Sequence, residues 1–331
     1  MNRIRIDKKG GAEVESTYKT RLTSEQLNAI AKQHFNTGIQ EYREMIDGWA
    51  NHAYYISLGN GQEVVLKIAP SKVGKPLRCE QDLLMAEVQA LRLVGELRDV
   101  PVPRVLAWET TCSLAPAEYF MMEYMPGMPY NKVKEQYSAA EQAEIEEQLG
   151  AFNRRINEIK GEKFGYFSEK KPKYNTWKEA FLSLMDDLLT DGREAGVKLP
   201  MDYDELAQLI REKSDVLSDV NEPVLIHWDL WDGNVFVEQG RITAIIDFER
   251  CLWADPLMEH YFSHFNYTKG FVKGYGRAIT TESERKRRSL YDLYFDLILW
   301  IECEYRQYDN KEHIQWAIHN LEEGIERFRL S

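Results

Sequence analysis

Three polar residues in one stretch of the chain carry the chemistry. Asp229 and Asn234 lie five apart in the segment 224–237, and Asp247 closes the segment 245–247 that follows it. The pattern reads as a short buried strand, a polar loop, a second strand, a turn at 238–241 and a third strand ending in an acid. A carboxylate and an amide oxygen converging from two strand ends are hard-oxygen ligands suited to Mg²⁺, so Asn234 and Asp247 are read as metal ligands. Asp229 is then the acid left over to act as a base, provided it reaches an acceptor hydroxyl. His227 is read as a brace for the loop. A metal-dependent hydrolase built on His227, Asp229 and Asp247 is a competing reading, as is a nucleotide-binding module without catalysis.

Phosphoryl transfer also needs a cation against the donor phosphates. Lys67 sits between Leu66 and Ile68 on an otherwise apolar strand, so its ammonium must either snorkel outward or meet an anion. Glu87 follows twenty residues later on a helical stripe, where it could fix that ammonium, and Glu80 is the alternative. Glu249, two residues past Asp247, is either a group that supports the metal ligands from outside or a loop acid.

The elements that must position these residues can be read in order. Thr23-Ser-Glu-Gln26 has capping-box spacing and starts a helix running to about Phe35. Strand-like runs follow at 39–46, 53–58 and 63–68, with Gly59-Asn-Gly61 as a turn. The polar turn 47–52 joins the first two. A long helix is predicted over 78–98 from Leu83, Leu84, Val88, Leu91 and Val94, and further strands over 104–109 and 118–124. Met125-Pro-Gly-Met-Pro129 is punctuation and reads as a hinge, at about 123–129. Beyond it, helices are predicted over 138–159, 176–191, 202–219, 255–275, 281–306 and 310–329. The expected architecture is α+β: a first unit over 1–125, with an antiparallel five-stranded sheet and one long helix, and a mainly helical unit over 126–331.

These motifs resemble the aminoglycoside phosphotransferase and choline kinase superfamily, the small-molecule branch of the protein-kinase-like fold. His227-Trp-Asp-Leu-Trp-Asp-Gly-Asn234 is similar to that family's catalytic loop His-Gly-Asp-Leu-His-x-x-Asn. Ile245-Ile-Asp-Phe-Glu249 is similar to its metal-binding segment, and Val65-Leu-Lys67 to its nucleotide-lysine strand. The resemblance spans about 40–265. It implies a two-lobed fold, ATP and Mg²⁺ as cofactors, Asp229 as catalytic base, and Lys67 braced by Glu87 against the phosphates. It also implies adenine against the backbone near Glu123 and Met125, with phosphate contact through the backbone of Asn51 and His52. The sequence departs from the family where Trp228 replaces a glycine, where Trp231-Asp232 replaces His-Pro, and where the nucleotide turn has only Gly48.

Seven residues separate Asp247 from Asp255, and no Arg precedes Asp229. A protein kinase needs a longer segment there to dock a peptide. The implied acceptor is therefore a small hydroxyl-bearing molecule. Acids and aromatics on the later helices suit an amine- or ammonium-bearing alcohol. Glu249, Glu259, Asp292, Asp296, Trp300 and Glu302 are the candidates for contacting it.

Composition fits this picture. The formal net charge of −12, from 42 basic and 54 acidic residues among 331, argues against nucleic acid as a partner. Cys79, Cys112, Cys251 and Cys303 are scattered with neither metal nor redox spacing, which favours a reducing cytosol. The longest apolar cluster, 297–301, is too short to span a bilayer, and the charged N-terminus does not read as a signal peptide.

Overall fold

Alternation along the strands decides which way Lys67 points. In the computed structural model, which describes residues 20–45, 52–70, 76–306, 308 and 310–331, helix α1 (Ser24–Phe35) opens with the Thr23/Gln26 capping box. Strands β1 (Ile39–Met45), β2 (His52–Leu58) and β3 (Glu63–Ile68) follow, then α2 (Leu83–Gly95), β4 (Val105–Glu109) and β5 (Tyr119–Glu123). They form an antiparallel sheet in the order β1-β2-β3-β5-β4. Val64, Leu66 and Ile68 join Leu27, Ile30 and Ala31 of α1 in one core, whereas Val65 joins the core that contains the α2 residues Leu84, Val88 and Leu91. Successive strand residues face opposite sides, so Lys67 shares the α2 face with Val65.

The helix expected over 78–98 is corrected. Arg78–Glu80 is a separate 3₁₀ turn, and α2 begins only at Leu83. Asp82 between them adopts a left-handed conformation (φ 65°), which no continuous α-helix accommodates. Its carboxylate accepts from Ser168 Oγ at 2.6 Å and pairs with Lys170, tying this break to the helical lobe.

After β5, β6 (Met128–Pro129) leads to α3 (Tyr130–Val133), α4 (Ala139–Ile156), β7 (Gly165–Tyr166), α5 (Trp177–Glu194) and α6 (Tyr203–Lys213). Strands β8 (Val224–Ile226), β9 (Val235–Glu238), β10 (Arg241–Ile245) and β11 (Leu252–Ala254) come next, followed by α7 (Lys269–Tyr275), α8 (Glu282–Tyr305) and α9 (Lys311–Leu330). The β9–β10 turn places Gln239 and Gly240 at φ 49° and 76°, the left-handed pair of a tight hairpin. Small sheets β10-β9-β6 and β7-β11-β8 frame the polar loop. The result is the expected two-lobed α+β architecture.

The helix expected over 255–275 is also corrected. The chain makes two 3₁₀ turns, Pro256–Met258 and His260–Phe262, before α7 starts at Lys269. Asp255 caps the first turn, and Glu259 is held extended (ψ 147°) between the two because its carboxylate is recruited elsewhere.

Helices α4 and α7 pack backbone against backbone. A Cβ at Gly150 would overlap the carbonyl of Phe271, and one at Gly274 would overlap the carbonyl of Glu147. Backbone atoms cannot rotate away, so Gly150→Ala is expected to lower stability by about 1–3 kcal/mol, read as a drop in thermal midpoint.

Candidate active site

The site grows from four local structures. Alternation aims Lys67 at α2, and the helical stripe of α2 brings Glu87, 1% exposed, to meet it. Lys67 Nζ lies 2.6 Å from Glu87 Oε2, which selects Glu87 over Glu80; Glu80 instead pairs with Arg250 and Arg306. From the other lobe, Asp247 at the end of β10 takes a left-handed conformation (φ 69°) and turns its carboxylate to Lys67 Nζ at 2.5 Å. Glu249, on the 3₁₀ turn after it, is buried with Oε2 3.4 Å from the same ammonium.

Three carboxylates thus surround one ammonium. Among the described residues their oxygens form an acidic cluster within 4.8 Å of one another. Burial would lower the pKa of Lys67, but Asp247, Glu87 and Glu249 hold it well above the usual lysine range. Burial pushes Glu87 up to about 8 against the pull of Lys67, and it raises Glu249 as well. Burial pulls Asp247 upward too, but Lys67 together with His227 and Arg250 keeps that carboxyl below its ordinary value. The raised carboxyls of Glu87 and Glu249 show that Lys67 alone does not offset the cost of ionising all three acids. A divalent cation would favour their ionised forms, and the donors are the hard oxygens such an ion prefers. Asn234 Nδ2 donates to the carbonyl of Asp229 at 2.9 Å, leaving Oδ1 as its ligand-capable atom. The backbone N–H of Ile246 donates to the carbonyl of Asn234 at 3.0 Å, so the loop carrying Asn234 is bonded to the strand end that delivers Asp247.

Asp229 sits on the loop after β8. Burial, reinforced by Asp247 and Glu249 and opposed by Arg250, pushes its carboxyl up to about 7. A base poised there can accept a proton near neutrality. The loop is held from behind by Glu259. Its carboxylate accepts the backbone N–H groups of His227 (2.8 Å) and Trp228 (3.1 Å) and the side-chain amides of Asn153 (2.8 Å) and Asn157 (3.3 Å). Trp228 adopts φ 67°, an unfavourable conformation for a bulky residue. The Glu259 hydrogen bonds and the stacking of its ring on Phe295, at 4.8 Å between centroids and 4° between planes, over-determine it.

Other expected site residues fall elsewhere. Glu259 is fully buried under the loop and is corrected from substrate contact to loop support. Asp296 is fully buried and bonded to His264 and Arg327 at 3.0 Å each; Asp292 pairs with Arg288 at 3.0 Å. Trp300 donates to the carbonyl of Lys198 at 2.9 Å, in the α5–α6 connection. Asp296 and Trp300 thus spend their polar atoms on packing α8 against its neighbours, and Asp292 on an i,i+4 pair with Arg288 of the same helix. Glu302 is near the site but pairs with Arg250 at 2.5 Å and with Arg306 at 3.6 Å. His227 braces the loop, as its sequence position implied: it is fully buried, its Nε2 donates to the Ile246 carbonyl at 2.9 Å, and burial lowers its pKa. Asn51 and the turn 47–51 lie outside the described residues. His52 opens β2 with its ring stacked on Tyr54 and Glu44 3.4 Å away. Of the residues expected at a hinge, Glu123 spends its side chain on Arg104 at 2.8 Å, and among the described residues no backbone–backbone bond engages Met125. Arg250, which the sequence reading passed over, emerges as the cation nearest in influence to Asp229. Its position three after Asp247 was the available signal.

Fold and site together define a small-molecule kinase. The phosphotransferase enzyme family pattern matches residues 41–291, more than half of the chain, and the protein belongs to that family. Solved structures of similar fold include a presumed fructosamine-3-kinase from Haemophilus somnus (18% identity, TM-score 0.66, covering 90% of this chain and 96% of that one). A thermostable mutant of the aminoglycoside phosphotransferase APH(4)-Ia, in a ternary complex with AMP-PNP and hygromycin B, is 18% identical at TM-score 0.66, covering 91% and 98%. A presumed fructosamine-3-kinase from Thermobifida fusca is 19% identical at TM-score 0.64, also covering 91% and 98%. No helix among the described residues is long and apolar enough to cross a membrane.

Two outcomes follow from this geometry. Glu259→Gln presents an amide N–H₂ to donors that need an acceptor, so it is expected to cost about 2–4 kcal/mol in denaturant unfolding. Raised above its ordinary 3.8, the Asp229 carboxyl holds its proton more tightly in the folded state. Its ionisation therefore weakens the fold progressively as pH rises from about 4 to about 7. In chelator, Asp229→Asn is expected to melt at a higher temperature than the parent at about pH 8, with the difference gone at about pH 4.

Proposed function

We propose that the protein transfers the γ-phosphoryl group of ATP, with Mg²⁺, to a hydroxyl of a small molecule. One observation carries this reading: Lys67 stands at the centre of Glu87, Asp247 and Glu249, with Asp229 on the adjoining loop. The APH(4)-Ia complex with AMP-PNP supports ATP as the donor. Lys67, fixed by Glu87, would meet the donor phosphates. Asn234 and Asp247 would hold Mg²⁺, with Glu249 adjacent. The ion would neutralise charge building on the phosphate oxygens. The hinge backbone near Glu123 and Met125 would receive the adenine.

In the transfer, the acceptor oxygen bonds to the γ-phosphorus as the bond from that phosphorus to the ADP oxygen breaks. The hydroxyl proton passes to Asp229. Because the proton leaves late in a loose transition state, Asp229 contributes as much by orienting the hydroxyl as by basicity. The hydrolase reading is disfavoured by His227, whose buried Nε2 is committed to a backbone carbonyl. The binding-module reading is disfavoured by the perturbed, centrally placed Asp229.

Turnover is measured as ADP release on an acceptor found by screening hydroxyl-bearing metabolites and antibiotics. Asp229→Asn is expected to lower kcat by about 10²–10⁴-fold, and Lys67→Met to abolish saturable ATP dependence. Near-parental turnover in both variants would contradict the proposal.

A further inference from the structure

The loop that carries Asp229 and Asn234 is gripped at two points. Glu259 holds its start through the N–H groups of His227 and Trp228. Its end is the 3₁₀ turn Asp232–Asn234, which has no side-chain cap of its own. One turn of helix fixes several backbone dihedrals for a single hydrogen bond and does not hold itself. The Asp232 carboxylate supplies the missing restraint. Its Oδ2 lies 2.8 Å from Lys134 Nζ, and its Oδ1 accepts from the Tyr261 hydroxyl. Lys134 opens the turn Lys134–Gln136 between α3 and α4, and the same ammonium is 3.7 Å from Glu146 Oε1 on α4. Tyr261 is fully buried, with its ring stacked on Phe271 of α7 at 4.8 Å between centroids. Both partners are thus backed by the α4–α7 pair, whose backbones meet at Gly150 and Gly274.

What this restraint fixes is Asn234. Its backbone N–H closes the turn on the Trp231 carbonyl at 2.9 Å, and its Nδ2 donates to the Asp229 carbonyl at 2.9 Å. The direction of Oδ1, the atom left for a metal, therefore follows the turn. Asp232 stands where the family pattern has proline, and the backbone still suits one. Trp231 is extended (φ −98°, ψ 167°), the conformation a residue before proline takes. Among the described residues no backbone acceptor takes the Asp232 N–H. A proline ring would restrain this position covalently; here a carboxylate held on both oxygens does so from outside.

We propose that Lys134 and Asp232 are positioning residues: through the turn they set the direction of Asn234 Oδ1 and so the affinity of the site for Mg²⁺, without ligating the ion. The proposal rests on the phosphotransfer reading for the metal, but the restraint itself is measurable in chelator.

The test uses the full chain and two readouts. Calorimetry measures how far Mg²⁺ tightens ATP binding relative to chelator. Hydrogen exchange, in chelator and without nucleotide, follows the amides of 229–236. Lys134→Met and Asp232→Ala are expected to cut the Mg²⁺-dependent tightening about tenfold and to speed that exchange, with ATP affinity in chelator unchanged. Lys134→Arg keeps the charge and is expected to retain most of both. Asp232→Pro supplies the restraint through its ring. It leaves the Tyr261 hydroxyl unpaired and is expected to melt lower, yet to keep the parental Mg²⁺ response; adding Lys134→Met to it is expected to change that response no further. Unchanged exchange or an unchanged Mg²⁺ response in Lys134→Met would overturn the proposal, as would loss of the response in Asp232→Pro to the extent seen in Asp232→Ala. Faster exchange in Lys134→Met with no Mg²⁺ response in the parent would leave the restraint standing and sink the metal-dependent phosphotransfer reading instead.

Discussion

The buried ammonium of Lys67 is the constraint on which the rest of the molecule depends. It comes from the sheet, Glu87 comes from α2, and Asp247 and Glu249 come from the far lobe. A buried charge is tolerable only when paired, and here it is paired from both sides of the cleft. The left-handed Asp247 and the placement of α2 over the sheet both serve that meeting. The cluster therefore joins the lobes through the groups a metal-bound phosphate would engage. Ionising all three of its carboxylates costs more than Lys67 alone offsets, so a divalent cation would stabilise the cluster.

Glu259 plays the matching role beneath the loop. It terminates two backbone amides that β8 leaves unpaired, and it is itself satisfied by Asn153 and Asn157 from α4. Replacement of a glycine by Trp228 is possible because this anchor fixes the backbone while Phe295 receives the ring. The raised carboxyl of Asp229 is a consequence of the same burial. Under the proposed phosphotransfer, the stability given up at Asp229 would leave a base available near neutral pH, and Glu259 restores order to the segment that carries it.

Much of this was legible in the sequence because the relevant signals are local. Asp229, Asn234 and Asp247 stand at strand ends defined by short apolar runs and a glycine turn. Strand alternation and a helical stripe put Lys67 and Glu87 within reach of each other. The capping boxes at Thr23, Ser138, Thr176 and Thr281 all start helices where expected. What was not legible depends on distant partners. Asp82 breaks a helix because Ser168 and Lys170 hold it, and the region from Asp255 stays irregular because Glu259 is drawn to the loop. The α8 acids were read by type and proximity in sequence. Asp292–Arg288 and Glu302–Arg306 are i,i+4 pairs that helical spacing allows, but the engagement of Glu302 with Arg250 and of Asp296 with Arg327 depends on how α8 packs, which no periodicity reveals.

The central claim is that the Lys67 cluster receives a metal-bound triphosphate. The most direct measurement is calorimetric titration of ATP into the protein with Mg²⁺ and with chelator, repeated for Asp247→Asn. The account predicts saturable binding in Mg²⁺ that weakens sharply in chelator, with the difference between the two conditions largely lost in Asp247→Asn. Equal affinity with and without Mg²⁺, unchanged by the substitution, would contradict it.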